Sequence, residues 1–242
     1  VYDTAREAAP QSAARAVLAV ALLSLAVYGL LAASGDLRPR WPRYALGHLL
    51  LILGACAVWL LWRRAGDAPG IRRIVLGAAL AFRLVAACGM PALSDDVYRY
   101  VWDGRVSLHG ISPYRHAPQD GRLAPLRDEA WEHVNHPELR TVYPPLAQAL
   151  FALLAATGAG QLGFRVALGL IDFAAVLALA RLLRARGLPA SRLLLYAWNP
   201  LAVIESAGSG HVEPLGVLLL LLGVERLGRG RARGAVPAAA LA

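Results

Sequence analysis

The chain of 242 residues is 57% hydrophobic, with mean hydropathy +0.48, and several of its apolar stretches approach the roughly 20 residues that a membrane-spanning helix needs. Its 25 basic residues are all Arg and stand against 16 acidic ones; in an Ala/Leu/Gly-rich background this +9 balance reads as coding bias, and no nucleic-acid partner is expected. The two cysteines, Cys56 and Cys88, fall inside apolar runs where thiols behave as small hydrophobes, which argues against a disulfide framework.

Residues 1–15 are polar and mixed, and Arg6 and Arg15 put them on the cytoplasmic side. A first span is predicted over about 16–33, and the prolines of GDLRPRWPR forbid its continuation. The second span covers about 44–62 and is followed by WRRAGDAPGIRR, a strong cytoplasmic marker. A third, about 74–93, therefore runs outward and delivers Asp95 and Asp96 to the extracytoplasmic face.

Residues 94–145 form a long polar segment with six Arg against eight Asp and Glu, and a segment of that length between spans is more often functional than connective. Short amphipathic helices lying on the membrane, broken at Pro113, Pro118 and Pro137, are its expected form. In the first of them Val97, Val101 and Trp102 share one face, while Asp96, Arg99, Asp103 and Arg105 keep the other charged. Ser94 is positioned to cap that helix, with both aspartates in its first turn.

A short apolar helix starts at Tyr143-Pro144-Pro145, followed by runs over about 162–183, 193–206 and 215–227. Placing 94–145 outside and both RLLRARGLPASR and GRGRARG inside requires that 143–157 not cross, or that an Arg-rich loop lie outside. At about fifteen residues, 143–157 is short for a span and suits a partly inserted or re-entrant helix. AVPAAALA reads as the opening of another apolar helix, so the chain is expected to be a fragment, the N-terminal part of one transmembrane domain over 1–242.

Adjacent carboxylates such as Asp95 and Asp96 resist simultaneous ionisation unless a cation lies close, so one can serve as a proton acceptor. Such a pair could also ligate a divalent cation through hard oxygens, although two carboxylates alone do not define a metal site. Arg83, Arg165 and Asp172 sit within predicted spans; a charge there faces a bundle interior or a wet cavity, unless the arginines snorkel to an interface. In NPLAVIESAGSGHVEPLG, Gly208, Gly210 and Pro214 interrupt two apolar runs where Glu205, His211 and Glu213 gather. Broken helices of this kind line cavities, and those side chains could bind sugar hydroxyls or set a cation against a phosphate. In the long loop Tyr114, Trp131, Asn135, His136 and Tyr143 supply ring faces and donors suited to carbohydrate, and equally to an aromatic belt.

Taken in order, SDDVYRYVWDG, GISPY, VNHPELRTVYPP and WNPLAVIESAGSGHVE resemble the GT-C superfamily of integral membrane glycosyltransferases, nearest to bacterial mannosyltransferase-like members that use polyprenyl-phosphate sugars. The resemblance spans about residues 83–222. It implies an all-α, polytopic transmembrane helix bundle in the bacterial plasma membrane, with 94–145 as a large extracytoplasmic catalytic loop of short amphipathic helices. The implied partners are a polyprenyl-phosphate sugar donor, a glycan or lipid-linked acceptor and membrane lipids. No nucleotide cofactor is expected, since no dinucleotide glycine fingerprint occurs.

Carried onto this chain, Asp95 is the candidate general base and Asp96 its partner, with Arg99, Tyr143, Glu205, His211 and Glu213 toward substrate. Arg99, Arg105, Arg115 and Arg140 are the loop cations available to a leaving phosphate. A transporter or flippase of a lipid-linked sugar is the alternative, since intramembrane charges and broken helices mark those as well. Against it, no internal repeat relates the two halves.

Overall fold

The computed structural model describes residues 2–89 and 91–228, with side chains from residue 11 onward. The Arg6 side chain, residues 229–234 of the Arg-rich run and the apolar 235–242 lie outside the described residues. The fold is all-α: α1 (Tyr2–Ala33), α2 (Trp41–Ala65), α3 (Pro69–Ala87), α4 (Asp96–Leu108), α5 (Glu129–Glu132), α6 (Pro145–Ala156), α7 (Gln161–Ala185), α8 (Leu194–Ala197), α9 (Pro200–Val203) and α10 (Glu213–Gly228). Among the described residues, Gln11–Ala33 of α1, α2 and α7 are long and apolar enough to cross a membrane. Their outer faces carry leucines such as Leu23 and Leu30, about 70% exposed, a surface that suits lipid and not water.

Proline and charge set the helix ends. Pro42 and Pro69 sit in the first turns of α2 and α3, where a missing N–H costs nothing, and Arg63 and Arg64 face the negative end of α2. The third predicted span differs from expectation in two ways. α3 stops at Ala87 ahead of Pro91, and with Arg72, Arg73 and Arg83 in its 19 residues it falls outside the set long and apolar enough to cross. The expected span over 193–206 is likewise not one helix. Asn199 accepts the Leu201 N–H, Pro200 offers no donor, and the chain restarts as α9 and then a π-helical turn, Ile204–Ser209.

The bundle has two chemically distinct ends. Asp67 from the α2–α3 connection and Arg72 from the first turn of α3 line one cavity together with Arg181 and Arg184 of α7, and Gly228 at the end of α10 lies against the Arg186 guanidinium. That is the Arg-rich end. At the other, the α1–α2 turn, the segment before α4, the start of α7 and the π-helical turn converge, and here lie the aspartates. α6 has 12 residues, about 18 Å of helix against the ~30 Å of a bilayer core, shorter than a span requires. Among the described residues, the arginines after α2 and those at the end of α7 share one end.

α4 departs most from its sequence reading. The middle of its charged face does not meet solvent: Arg99 is 5% and Asp103 1% exposed, whereas Asp96 and Arg105 stay half-buried. The two form an i,i+4 ion pair at 2.9 Å, Asp103 also accepts from Gln148 Nε2 at 2.9 Å, and Arg99 donates to the Leu139 carbonyl at 2.8 Å. A buried pair is tolerated only when its remaining lone pairs and protons find partners, and α6 and the long loop supply them. On the same helix Tyr100 stacks on Phe151 with ring centroids 4.5 Å apart, and Tyr143 meets Tyr100 edge-on. After α4 the long loop carries only short elements among the described residues, a 3₁₀ turn over Gly121–Leu126 and the single turn α5.

The α4–α6 crossing depends on Gly104, where a Cβ would lie 2.4 Å from the Phe151 carbonyl oxygen, a backbone atom that cannot step aside. Gly104→Val is expected to destabilise the domain by about 1–3 kcal/mol or more, the cost of overpacking a core. Gly77→Ala on α3, with nothing within 4 Å of the new methyl, serves as the control. Thermal unfolding in detergent checks this, and equal melting of the two variants would refute the close crossing.

Candidate active site

Three segments that are remote in sequence are tied together at the acidic end by backbone hydrogen bonds. Leu37 N–H donates to the Ala92 carbonyl at 2.9 Å, and Ala92 N–H to the Gly208 carbonyl at 3.0 Å. Arg165 of α7, 1% exposed, donates to the carbonyls of both Gly89 and Gly208, so a cation meets carbonyls near the ends of helical segments. It therefore does not snorkel. Gly210 permits this packing, since at φ +83° only glycine is unstrained and a Cβ would sit 2.7 Å from the Arg165 Cγ.

Asp95 and Asp96 share this frame but not an environment. Ser94 Oγ accepts the Asp96 N–H at 3.2 Å, but Asp95 and not Ser94 holds the N-cap position, so only Asp96 lies in the first turn and the two side chains diverge from there. Both oxygens of Asp95 accept from Arg38, at 2.5 and 3.2 Å, and Arg38 also holds Asp36 at 2.8 Å. The cation that adjacent aspartates need is thus supplied by the α1–α2 turn. It also lowers Asp36 below the usual carboxylate range, chiefly through the Arg38 hydrogen bond. Asp96 Oδ1 accepts from Asn135 Nδ2 at 2.8 Å, whereas Oδ2 faces His211 Nε2 across 3.7 Å. That gap exceeds a hydrogen bond and leaves the oxygen a free lone pair.

His211 is fixed from its other side. Its Nδ1 lies 2.9 Å from Glu205 Oε2 and its backbone N–H donates to the Glu205 carbonyl, so the π-helical turn and the loop after it set the ring orientation. The hydrogen bond to the Glu205 carboxylate raises the imidazole above its ordinary value; desolvation opposes it, and the charges of Glu205, Glu213 and Asp96 add to it. Glu205, His211 and Glu213 line a cavity of about 260 Å³ whose floor is Asp172, Tyr196 and Ser206.

Under that floor lies the buried pair Arg83–Asp172, each side chain 1% exposed. Arg83 Nε donates to Asp172 Oδ2 at 2.8 Å and NH1 to the carbonyls of Ala79 and Ala197, while Ser206 and Tyr196 donate to the carboxylate. Arg83 is therefore a structural tie between α3, α7 and the broken helix, and it does not reach the surface.

Of the residues singled out in the sequence, Asp96, Glu205, His211 and Glu213 come together, and Asp95 stands beside them on Arg38. Arg99 and Tyr143 do not join the cavity: Arg99 is committed to Asp103, and Tyr143 packs its ring on Tyr100 and Phe151. Arg105 pairs with Asp128, while Arg115 and Arg140 stay exposed. Arg38 is the residue that the linear reading missed. A signal existed, since the predicted spans already put GDLRPRWPR on the same side as the acidic pair. Among the described residues, no group of three or more His, Cys, Asp or Glu side chains is placed to hold a metal ion.

The sequence family described as "Alpha-(1->6)-mannopyranosyltransferase, N-terminal domain" matches residues 12–242. No curated protein and no solved structure matches the chain.

Proposed function

Because the chain belongs to the alpha-(1->6)-mannopyranosyltransferase N-terminal-domain family, we propose that it transfers a hexose, mannose by that family's description, from a polyprenyl-phosphate donor to the hydroxyl of a glycan or lipid-linked acceptor. The observation that carries this reading is the convergence of Asp96 and Glu205 on His211, which with Glu205 lines a cavity at the end of the bundle opposite the Arg-rich loops. Arginine collects on the cytoplasmic side of membrane proteins, so this end is extracytoplasmic. A lipid-linked donor presents its phosphate and sugar at such a boundary.

In the proposed reaction Asp96 takes the proton of the acceptor hydroxyl, which seats between Oδ2 and His211. The new bond forms at the anomeric carbon as the bond to phosphate oxygen breaks, and the electron pair leaves with the polyprenyl phosphate. Asp96 is preferred over Asp95 as base because both Asp95 oxygens are occupied by Arg38. Arg38, 47% exposed, is the guanidinium beside the pair; with its other N–H groups on Asp36 and Asp95, it has one left to turn toward the donor phosphate. The test is to supply membranes containing the chain with labelled polyprenyl-phosphate hexose. Label should appear in acceptor, and label that changes leaflet without a transfer product would favour the transporter.

A pH dependence follows from His211. Its folded-state value is raised above 6.5, so the imidazolium is fully present below that value and is lost as pH rises through the raised one. The groups facing it are Glu205, Glu213 and Asp96. Transfer should therefore fall on the alkaline side in wild type, and His211→Gln should be slow with that limb absent. An alkaline limb unchanged in His211→Gln would assign it to another group.

A further inference from the structure

The Arg-rich end carries a cavity of about 500 Å³ that has no part in the chemistry proposed above. Its rim bears Arg72 from the first turn of α3 and Arg181 and Arg184 from the end of α7, with Asp67 as the lining carboxylate. Leu76 and Leu177 supply apolar wall between the same helices. Arg181 lies 3.8 Å from Glu225, whereas Arg72 and Arg184 pair with no carboxylate among the described residues. At a membrane boundary an anionic headgroup can supply the counter-charge that the protein does not.

We infer that this cavity is a binding site for an anionic phospholipid, whose headgroup phosphate meets Arg72 and Arg184 while an acyl chain follows the leucine wall between α3 and α7. Charge and polarity both select such an occupant. A zwitterionic headgroup brings its own cation to the arginines, and a soluble phosphate has nothing to place against Leu76 and Leu177. Basic pockets between helices on the positively charged side of membrane proteins bind anionic headgroups for this reason. Guanidinium forks also match phosphate oxygens bidentately. A lipid held there would cover the junction between the α2–α3 connection and the end of α7, and so brace the frame on which the opposite end is built.

The experiment uses the full chain purified in detergent, offered phosphatidylglycerol and phosphatidylcholine in equal amounts, with retained lipid counted by native mass spectrometry. Wild type should retain phosphatidylglycerol preferentially, and Arg72→Gln/Arg184→Gln should lower that preference by about thirtyfold, roughly fivefold for each arginine. Asp67→Asn should raise it by about fivefold, and this arm decides if the double variant does not fold. Equal retention of the two lipids by wild type, an unchanged preference in the double variant, or no gain in Asp67→Asn would each overturn the inference. So would glycerol phosphate binding as tightly as the lipid.

Discussion

Asp96→Asn is expected to lower the turnover of hexose transfer by about a hundredfold or more, the low end of what a positioned base contributes, with donor KM little changed. The amide keeps the shape of the side chain and can still meet Asn135, but it offers no proton acceptor toward the acceptor hydroxyl. Asp95→Asn should act differently. It releases Arg38 from one of two carboxylates, so its effect should appear mainly in donor KM, with a smaller loss of turnover. A single-turnover assay with labelled donor separates the two. Should Asp95→Asn show the larger loss of turnover, the base would be the carboxylate favoured by the resemblance, and Arg38 would have to leave it when donor binds.

Breaking the Arg83–Asp172 pair should cost about 3–5 kcal/mol of stability, because either single substitution leaves an uncompensated charge in the bundle interior. Arg83→Met abandons a carboxylate that Tyr196 and Ser206 cannot neutralise, and Asp172→Leu abandons a guanidinium. The double substitution Arg83→Met/Asp172→Leu removes both charges and should recover much of the loss, since a buried pair replaced by packed apolar groups is often neutral. Unfolding in a denaturing-detergent titration measures all three proteins. Strictly additive losses in the double variant would show that the two side chains are not coupled.

The failures of the linear reading share a physical origin. Four charged side chains on one face of α4 predict a surface helix, because charge usually means water. The i,i+4 spacing of Arg99 and Asp103 allows the helix to neutralise itself, and Gln148 and the Leu139 carbonyl complete the set from elsewhere. The span expected over 193–206 was read from composition alone, whereas Asn199-Pro200 carries a local stop and restart. Arg83 and Arg165 were placed correctly in or beside apolar helices, but whether they snorkel or pair is not a local property.

What the sequence determined by itself is the part of the molecule governed by short-range cost. It marked where apolar runs favour helix, where Pro and Gly break them, which segments carry arginine, and that Asp95 and Asp96 stand together after the third apolar helix. Tertiary structure decided the rest, because the partners are far apart in the chain: Arg38 is 57 residues from Asp95, Asn135 39 from Asp96, and Arg83 89 from Asp172. Two adjacent aspartates have identical local chemistry. Only the packing of a remote turn against one, and of a broken helix against the other, gives them different neighbours and so different tasks.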